Sequence, residues 1–90
     1  MFQIQLTKEA QKDLKKLEKK KIEIVLKKLY SIREDPSHYI ERLIGKTLWK
    51  LRIGDYRVIL QLNTKDKKIN VIKIGHRDKI YKRLDKLAKK

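Results

Sequence analysis

Three cationic side chains fall on one face of two neighbouring predicted strands. In the run TLWKLRIG, Lys50 and Arg52 alternate with apolar residues, so in a strand both cations project from the same face. The next run, DYRVILQLN, places Arg57 near its start, close to both. Cations on adjacent strands repel one another unless an anion binds between them, so the cluster indicates a phosphate or another polyanion. The alternative is a solvated face, equally expected for Lys50 and Arg52 alone.

A second group of polar residues follows the last predicted strand. That strand ends at Gly75, His76 and Arg77, and Tyr81 lies one helical turn after Arg77. These strand ends and the helix start are expected to converge on one surface. Tyr81 has a second interpretation, because it also begins an apolar stripe of the last helix. A histidine acid–base pair would need His38, which follows the proline of a polar loop, so we interpret the two histidines as unpaired.

The composition limits which kinds of protein these residues can belong to. The 90 residues include 26 Lys and Arg against 11 Asp and Glu, a formal net charge of +15, and no cysteine. This length allows one small domain, residues 1–90, and leaves no room for a deep cofactor cleft. The lack of cysteine excludes disulfide, iron–sulfur and Cys-zinc sites, while the scattered acids and missing phosphate-binding motifs leave metals and nucleotide cofactors without ligands. We expect no cofactor and a polyanionic target.

The same composition predicts a reducing, intracellular setting. A secreted chain this small would normally need disulfides, and no run approaches the roughly 20 apolar residues of a membrane span. We therefore expect a cytoplasmic protein that does not bind membranes. The net charge indicates nucleic acid, an acidic protein partner, or both.

Hydrophobic periodicity in the first half predicts a strand and two helices. Phe2 to Leu6 alternate as a half-buried strand, and Thr7 has the side chain to cap a helix through TKEAQKDLKKLEKKK. A second, more apolar helix begins near Ile22 and is expected to stop before Asp35-Pro36, because proline disfavours helical geometry in the residue before it. Two adjacent helices indicate a hairpin.

Strand patterns dominate the second half. The runs IERLI, TLWKLRI, DYRVILQLN and INVIKIGH follow one another closely, which predicts an antiparallel meander with a tight turn at Gly54-Asp55. Trp49 alternates with apolar residues and is expected in the core, and Asp78 is expected to cap a last helix. The predicted fold is α+β: an N-terminal strand, a two-helix hairpin, an antiparallel sheet of about four strands and a short C-terminal helix.

Two blocks of the sequence carry a family resemblance. The first, L-x-G-x-x-x-W-K-L-R-I-G-D-Y-R-V-I, begins at Leu43 and ends at Ile59; the second, I-G-H-R-D-K-I-Y, runs from Ile74 to Tyr81. With the order of predicted elements, the small size and the basic charge, they resemble the RelE/ParE toxin superfamily over nearly the whole chain.

The resemblance implies the toxin of a type II toxin–antitoxin pair. For the RelE branch it implies a ribosome-dependent endoribonuclease that cuts messenger RNA in the A site without metal, by attack of a ribose 2′-hydroxyl on the adjacent phosphate. By the same resemblance Arg57 stabilises the phosphorane, Arg77 protonates or stabilises the leaving oxygen, and Tyr81 or Lys50 takes the 2′-hydroxyl proton. Arg52 and His76 are expected to contact the RNA.

One position departs from the family pattern. Some members carry a second lysine two residues before the position of Lys50, where this chain has Leu48. Arg52, on the same face as Lys50, is the residue that would compensate. Without compensation we expect slower cleavage or inhibition by binding alone.

The resemblance also implies a partner and leaves rival functions. A RelB-like acidic antitoxin is expected to fold over the basic surface, and in the family such a segment can displace the C-terminal helix, which here carries Tyr81. The main rival is the ParE branch, which shares the fold, generally lacks the nuclease set and poisons DNA gyrase. A non-catalytic nucleic-acid-binding module is the second rival. The presence of Lys50, Arg57, Arg77 and Tyr81 together favours the RelE branch.

Overall fold

The structure is a computed structural model that describes residues 1–43 and 47–80. Tyr81, and with it most of the last predicted helix, lies outside the described residues, as does Gly45 of the first sequence block. The elements in chain order are β1 (Gln3–Leu6), α1 (Lys8–Lys15), α2 (Lys19–Ser31), a 3₁₀ turn (Pro36–His38), β2 (Glu41–Arg42), β3 (Leu48–Ile53), β4 (Tyr56–Asn63) and β5 (Lys68–His76). A last helix, α3, begins at Arg77 and is described as far as Ile80.

The strands form one five-stranded sheet in the order β1-β5-β4-β3-β2. Strands β2 to β5 pair antiparallel in sequence order, which confirms the predicted meander. Strand β1 pairs with β5 and runs parallel to it. A parallel pair needs a long crossover connection, and the helical hairpin lies within the chain segment that joins β1 to the meander. The α+β class is confirmed.

The helical hairpin follows the predicted pattern with a sharper break. Thr7 caps α1: its Oγ1 accepts a hydrogen bond from the Ala10 amide at 3.1 Å. The apolar pattern predicted one helix through residue 21, but α1 ends at Lys15 and α2 begins at Lys19, because the backbone of Glu18 is extended. This short reversal lets Leu14 and Leu17, at the end of the first segment, pack against the core together with α2.

The predicted strand IERLI is shorter than expected in its described part, and Ile44 lies outside the described residues. Glu41 and Arg42 pair with β3, opposite Lys50 and Trp49, and the Leu43 amide donates a hydrogen bond to the Leu48 carbonyl oxygen. Ile40 instead turns into the core, where it is 7% exposed. A two-residue edge strand leaves little unpaired backbone for association with another chain.

The core lies between the helices and one face of the sheet. Trp49 packs against it, as predicted, and the Arg42 guanidinium lies 5.6 Å from the Trp49 ring centroid. Among the described residues no helix is both long and apolar enough to cross a membrane. The core cluster consists of Ala10, Val25, Leu29, Ile32, Ile40, Leu51, Ile53, Val58, Leu60, Ile69, Val71 and Ile74.

The start of α3 differs from the prediction. Arg77 is already helical, so Asp78 lies inside the first turn and does not cap it. The side chain at the capping position is that of His76, whose Nδ1 lies 3.3 Å from the Asp78 amide nitrogen and accepts its hydrogen bond. A strand that runs directly into a helix makes its last residue the cap.

Candidate functional site

The turn between β3 and β4 meets the start of α3 at one end of the sheet. Gly54 has a φ of +58°, a left-handed conformation that glycine adopts without strain, so the predicted two-residue turn is confirmed. The Arg77 amide donates a hydrogen bond of 2.9 Å to the carbonyl oxygen of Asp55 in this turn. This bond holds the first residue of α3 against the turn, beside the strand ends that carry the predicted cations.

The strand register brings the predicted cations onto one face. Arg52 lies directly opposite Arg57 in the β3–β4 pair, and Arg57 lies opposite Gly75 of β5. Lys50, two residues before Arg52, lies opposite Ile59. Directly opposed residues project from the same face, so the cations of β3 and β4 share the face predicted from their spacing.

Arg57 is the most deeply placed of these cations. The residue is only 7% exposed, and its Nη1 donates two hydrogen bonds of 2.9 Å, to the carbonyl oxygens of Gly54 and Tyr56. The guanidinium therefore fixes the β3–β4 turn from inside. Among the described residues no hydrogen bond uses its Nε or Nη2, which are the donors that remain for a ligand.

Lys50 and Arg52 have different surroundings. The Nζ of Lys50 lies 3.5 Å from Oε2 of Glu41, its direct neighbour on β2, and its side chain is 24% exposed. Arg52 is exposed and makes no hydrogen bond or ion pair within residues 1–43 and 47–80. The expectation that the clustered cations require an external anion is therefore too strong, because Glu41 and the turn carbonyls already offset part of the repulsion.

Arg77 and His76 complete the described part of the site. The Arg77 side chain is 57% exposed, and its Nε lies 3.8 Å from Oδ1 of Asp78. The His76 ring stands edge-on to the ring of Tyr56, its direct neighbour on β4, with centroids 5.8 Å apart. Tyr81, the fourth predicted catalytic residue, lies outside the described residues. The structure brings Arg52, Arg57, His76 and Arg77 to one end of the sheet and Lys50 one pair further along. His76 pairs with Tyr56, next to the Arg57–Gly75 pair, and therefore projects from the opposite face to Arg57.

An open pocket of about 230 Å³ adjoins this end on the side of α1. Ile74, Ile80 and Leu17 provide its apolar surface, and Lys16 and Lys79 are among its polar lining residues. Asp13 also lines the pocket, so its polar surface carries charges of both signs.

Sequence reasoning missed the charged residues that hold α1 to β5. Asp13 is 6% exposed, and its Oδ2 accepts a hydrogen bond of 3.1 Å from the Ile74 amide. Lys73 is 4% exposed, and its Nζ lies 2.5 Å from Oε1 of Glu9. Two signals were available: Glu9 and Asp13 lie four residues apart on one helix, and Lys73 interrupts an apolar run. These contacts position β5, whose end carries His76.

Comparison with known protein families gives one clear assignment. The family model described as "ParE toxin of type II toxin-antitoxin system, parDE" matches residues 4–81. The chain belongs to this family, within the RelE/ParE toxin superfamily. The protein is therefore a toxin of the type II toxin–antitoxin class. No curated protein matches its sequence.

Solved structures show the same fold. The chain is 29% identical to archaeal RelE from Pyrococcus horikoshii in its complex with RelB, with a TM-score of 0.72, covering 84% of this chain and 94% of that one. It is 26% identical to a chain of the Escherichia coli RelBE toxin–antitoxin complex, with a TM-score of 0.71 and coverages of 84% and 96%. The RelBE2 complex of Mycobacterium tuberculosis matches at 19% identity, with a TM-score of 0.77 and coverages of 84% and 98%, and shows the fold alone.

Proposed function

We propose that this toxin is a cytoplasmic, ribosome-dependent endoribonuclease that cuts messenger RNA in the A site. The observation that carries the proposal is the convergence of Arg52, Arg57 and Arg77 at the end of the sheet where the β3–β4 turn holds α3. Guanidinium groups carried on such a fixed backbone are suited to a phosphodiester, whose transition state gains negative charge on the phosphorus oxygens.

The proposed reaction needs no metal. The ribose 2′-oxygen attacks the adjacent phosphorus, the bond from phosphorus to the 5′-oxygen breaks, and the products are a 2′,3′-cyclic phosphate and a 5′-hydroxyl end. A base takes the 2′-hydroxyl proton, and an acid or cation serves the departing oxygen. We assign the phosphorane to Arg57, through its Nε and Nη2 donors, and the departing oxygen to the exposed Arg77.

The base is Tyr81 or Lys50. Lys50 Nζ lies 3.5 Å from Oε2 of Glu41, and a lysine side chain on the cationic face is suited to contact a phosphate. Tyr81 lies four residues after Arg77 in the sequence, the spacing of one helical turn. We therefore assign Tyr81 the proton and Lys50 a contact to phosphate.

The proposed partner is an acidic, RelB-like antitoxin. The structures of the P. horikoshii and E. coli relatives are complexes of RelE with RelB, and this chain carries a net charge of +15. A flexible acidic segment would be attracted to such a surface and order upon it. Binding that covers Arg52 and Arg77 or disturbs α3 would block access to messenger RNA.

The deciding experiment maps new 5′ ends on a defined messenger RNA in a translating extract. Wild-type protein is expected to produce ribosome-phased cuts, and Arg77→Ala to reduce them at least about 100-fold, the size expected for loss of one charge-stabilising group. The matched control is Arg33→Ala, which removes the same charge at the C-terminal end of α2, where Arg33 contacts Tyr30. Equal cutting by wild type and Arg77→Ala would contradict the assigned site.

A second candidate function is poisoning of DNA gyrase. The observation that favours it is the family model itself, which is described as ParE. This function predicts intact messenger RNA and an accumulation of gyrase-bound DNA breaks when the toxin is added to gyrase and supercoiled DNA. A plain nucleic-acid-binding role predicts neither cut RNA nor broken DNA, and binding that weakens steeply with salt, with a slope near −0.7 per phosphate contacted on single strands.

A further inference from the structure

The side chain of His76 lies where β5 turns directly into α3. Its Nδ1 is 3.3 Å from the Asp78 amide nitrogen, two residues further along the chain. Its ring is held edge-on against Tyr56 of the neighbouring strand. A nitrogen that accepts from the amide two residues ahead occupies the place of a helix N-cap oxygen.

The first turn of α3 is anchored at two further points. The Arg77 amide donates to the carbonyl of Asp55, so the first two amides of the helix have acceptors outside it. Ile80, which is 1% exposed, packs over Gly75: a Cβ added there would lie 3.0 Å from the Ile80 Cδ1. The glycine thus lets α3 lie close to the strand that precedes it.

We propose that His76 is a positioning residue: its Nδ1 caps α3 and so holds Arg77 at the β3–β4 turn. The capping bond needs a lone pair on Nδ1, which places the ring proton on Nε2. Nδ1 is then committed to the backbone and unavailable to RNA or to a transferred proton. This differs from the RNA-contacting role expected from the sequence. Only the effect on cleavage rests on the proposed function.

A competing contact defines what would overturn the proposal. Oδ2 of Asp78 lies 3.4 Å from the same Nδ1. A proton on Nδ1 would point to this carboxylate and remove the capping bond, because a protonated Nδ1 has no lone pair left to accept the amide hydrogen. The two arrangements therefore exclude each other and differ in whether Nδ1 carries a proton.

Two isosteric variants separate the two ring nitrogens. In His76→Asn the amide oxygen takes the place of Nδ1, and asparagine is itself a preferred N-cap. In His76→Gln the amide reaches the place of Nε2 and leaves the cap position empty. Both variants remove the ring and its contact with Tyr56, so the comparison between them isolates the cap.

The first readout is made on the free protein and does not depend on any activity. Nitrogen-15 spectra at neutral pH are expected to show His76 with its proton on Nε2. Exchange of the Asp78 amide is expected to accelerate about fivefold or more in His76→Gln relative to His76→Asn, the factor that corresponds to loss of a typical N-cap. A proton on Nδ1, or equal exchange in the two variants, would overturn the cap.

The second readout is the yield of ribosome-phased cuts. His76→Gln is expected to cut about fivefold more slowly than His76→Asn, the same factor as for loss of the cap. Faster cutting by the Gln variant would overturn the positioning role, because it would show that the Nε2 position is the one that matters. If wild-type protein leaves RNA intact, the endoribonuclease proposal fails. The nitrogen-15 spectra and the amide exchange then decide whether His76 caps α3.

Discussion

Two regions of strand β5 use charged residues in opposite ways. Where the strand packs against α1, Lys73 and the α1 residue Asp13 are 4% and 6% exposed, and each has a close partner, Glu9 and the Ile74 amide respectively. At the C-terminal end of the strand, the Arg77 side chain is 57% exposed, and its contact with Asp78 is long at 3.8 Å. We call the first region the α1–β5 seam and the second the turn end.

The difference teaches which charges are available for function. A buried charge must be paired, because its desolvation is costly. The charges of the seam therefore hold α1 to the sheet and are not available to a ligand. Exposed cations keep their capacity to bind an anion. Arg57 belongs to both categories: it is buried and holds the β3–β4 turn, yet its Nε and Nη2 remain for a ligand. Substitutions in the seam should therefore change stability, and substitutions at the turn end should change activity.

The largest effect is expected for Arg57→Ala. Cleavage of messenger RNA should fall at least about 100-fold through loss of a charge-stabilising group. The free energy of unfolding should also fall by about 1 kcal/mol, because the Gly54 and Tyr56 carbonyls lose their shared donor. Cut yield and urea denaturation measure the two effects. Arg57→Lys, which keeps the charge without the forked donors, is the control; undiminished cutting by the Ala variant would contradict the assigned role.

The next largest effect is expected for Asp13→Ala. The Ile74 amide would lose its acceptor in a buried position, which should lower the free energy of unfolding by about 1–3 kcal/mol. The folded fraction should cut RNA at the wild-type rate. Urea denaturation measures the loss of unfolding free energy, with Lys12→Ala on the exposed side of the same helix as the control. Equal stability of the two variants would mean that the seam does not depend on this bond.

Replacement of either partner of the seam ion pair is expected to lower the free energy of unfolding, but by different amounts. Glu9→Gln leaves the Lys73 ammonium buried without its carboxylate and should cost about 1–3 kcal/mol of unfolding free energy. Lys73→Met leaves Glu9, whose side chain is 53% exposed, in contact with water and should cost less than about 1 kcal/mol. Thermal and urea unfolding of both variants give the order, and the reverse order would show that exposure does not decide the cost.

The smallest effect is expected for Gly54→Ala. An added Cβ meets no atom within 4 Å, so only the backbone penalty of the left-handed conformation remains, about 1 kcal/mol. Lys65→Ala in the β4–β5 turn, an exposed position away from the turn end, is the control for general surface effects. A loss far above that of the backbone penalty would indicate that the β3–β4 turn supports more of the fold than its hydrogen bonds suggest.

The sequence correctly predicted features that depend on residues only a few positions apart. Alternation in β3 and β4 predicted which residues face the core, since the strand period is two, and it put Lys50, Arg52 and Arg57 on the other face. Thr7 and Gly54 were predicted correctly because a cap and a tight turn need specific residue types within a few positions. The helix break at Lys16 was missed, because the apolar spacing continues through Leu17.

The partners of these residues depended on chain segments far away in sequence. Asp13 bonds to Ile74 and Glu9 to Lys73 across more than 60 positions, and no local sequence pattern predicts which residues pair over such a separation. The parallel pairing of β1 with β5 has the same origin.

The sequence by itself therefore determined the α+β class, the strand faces, the cationic cluster and the resemblance to the RelE/ParE superfamily. Only the tertiary structure decided that Arg57 holds the turn, that Glu41 pairs with Lys50 and that His76, not Asp78, caps α3. The physical reason is range: periodicity and capping act within one or two turns of chain, whereas burial and hydrogen-bond pairing are set by the distant segments that the folded sheet brings together.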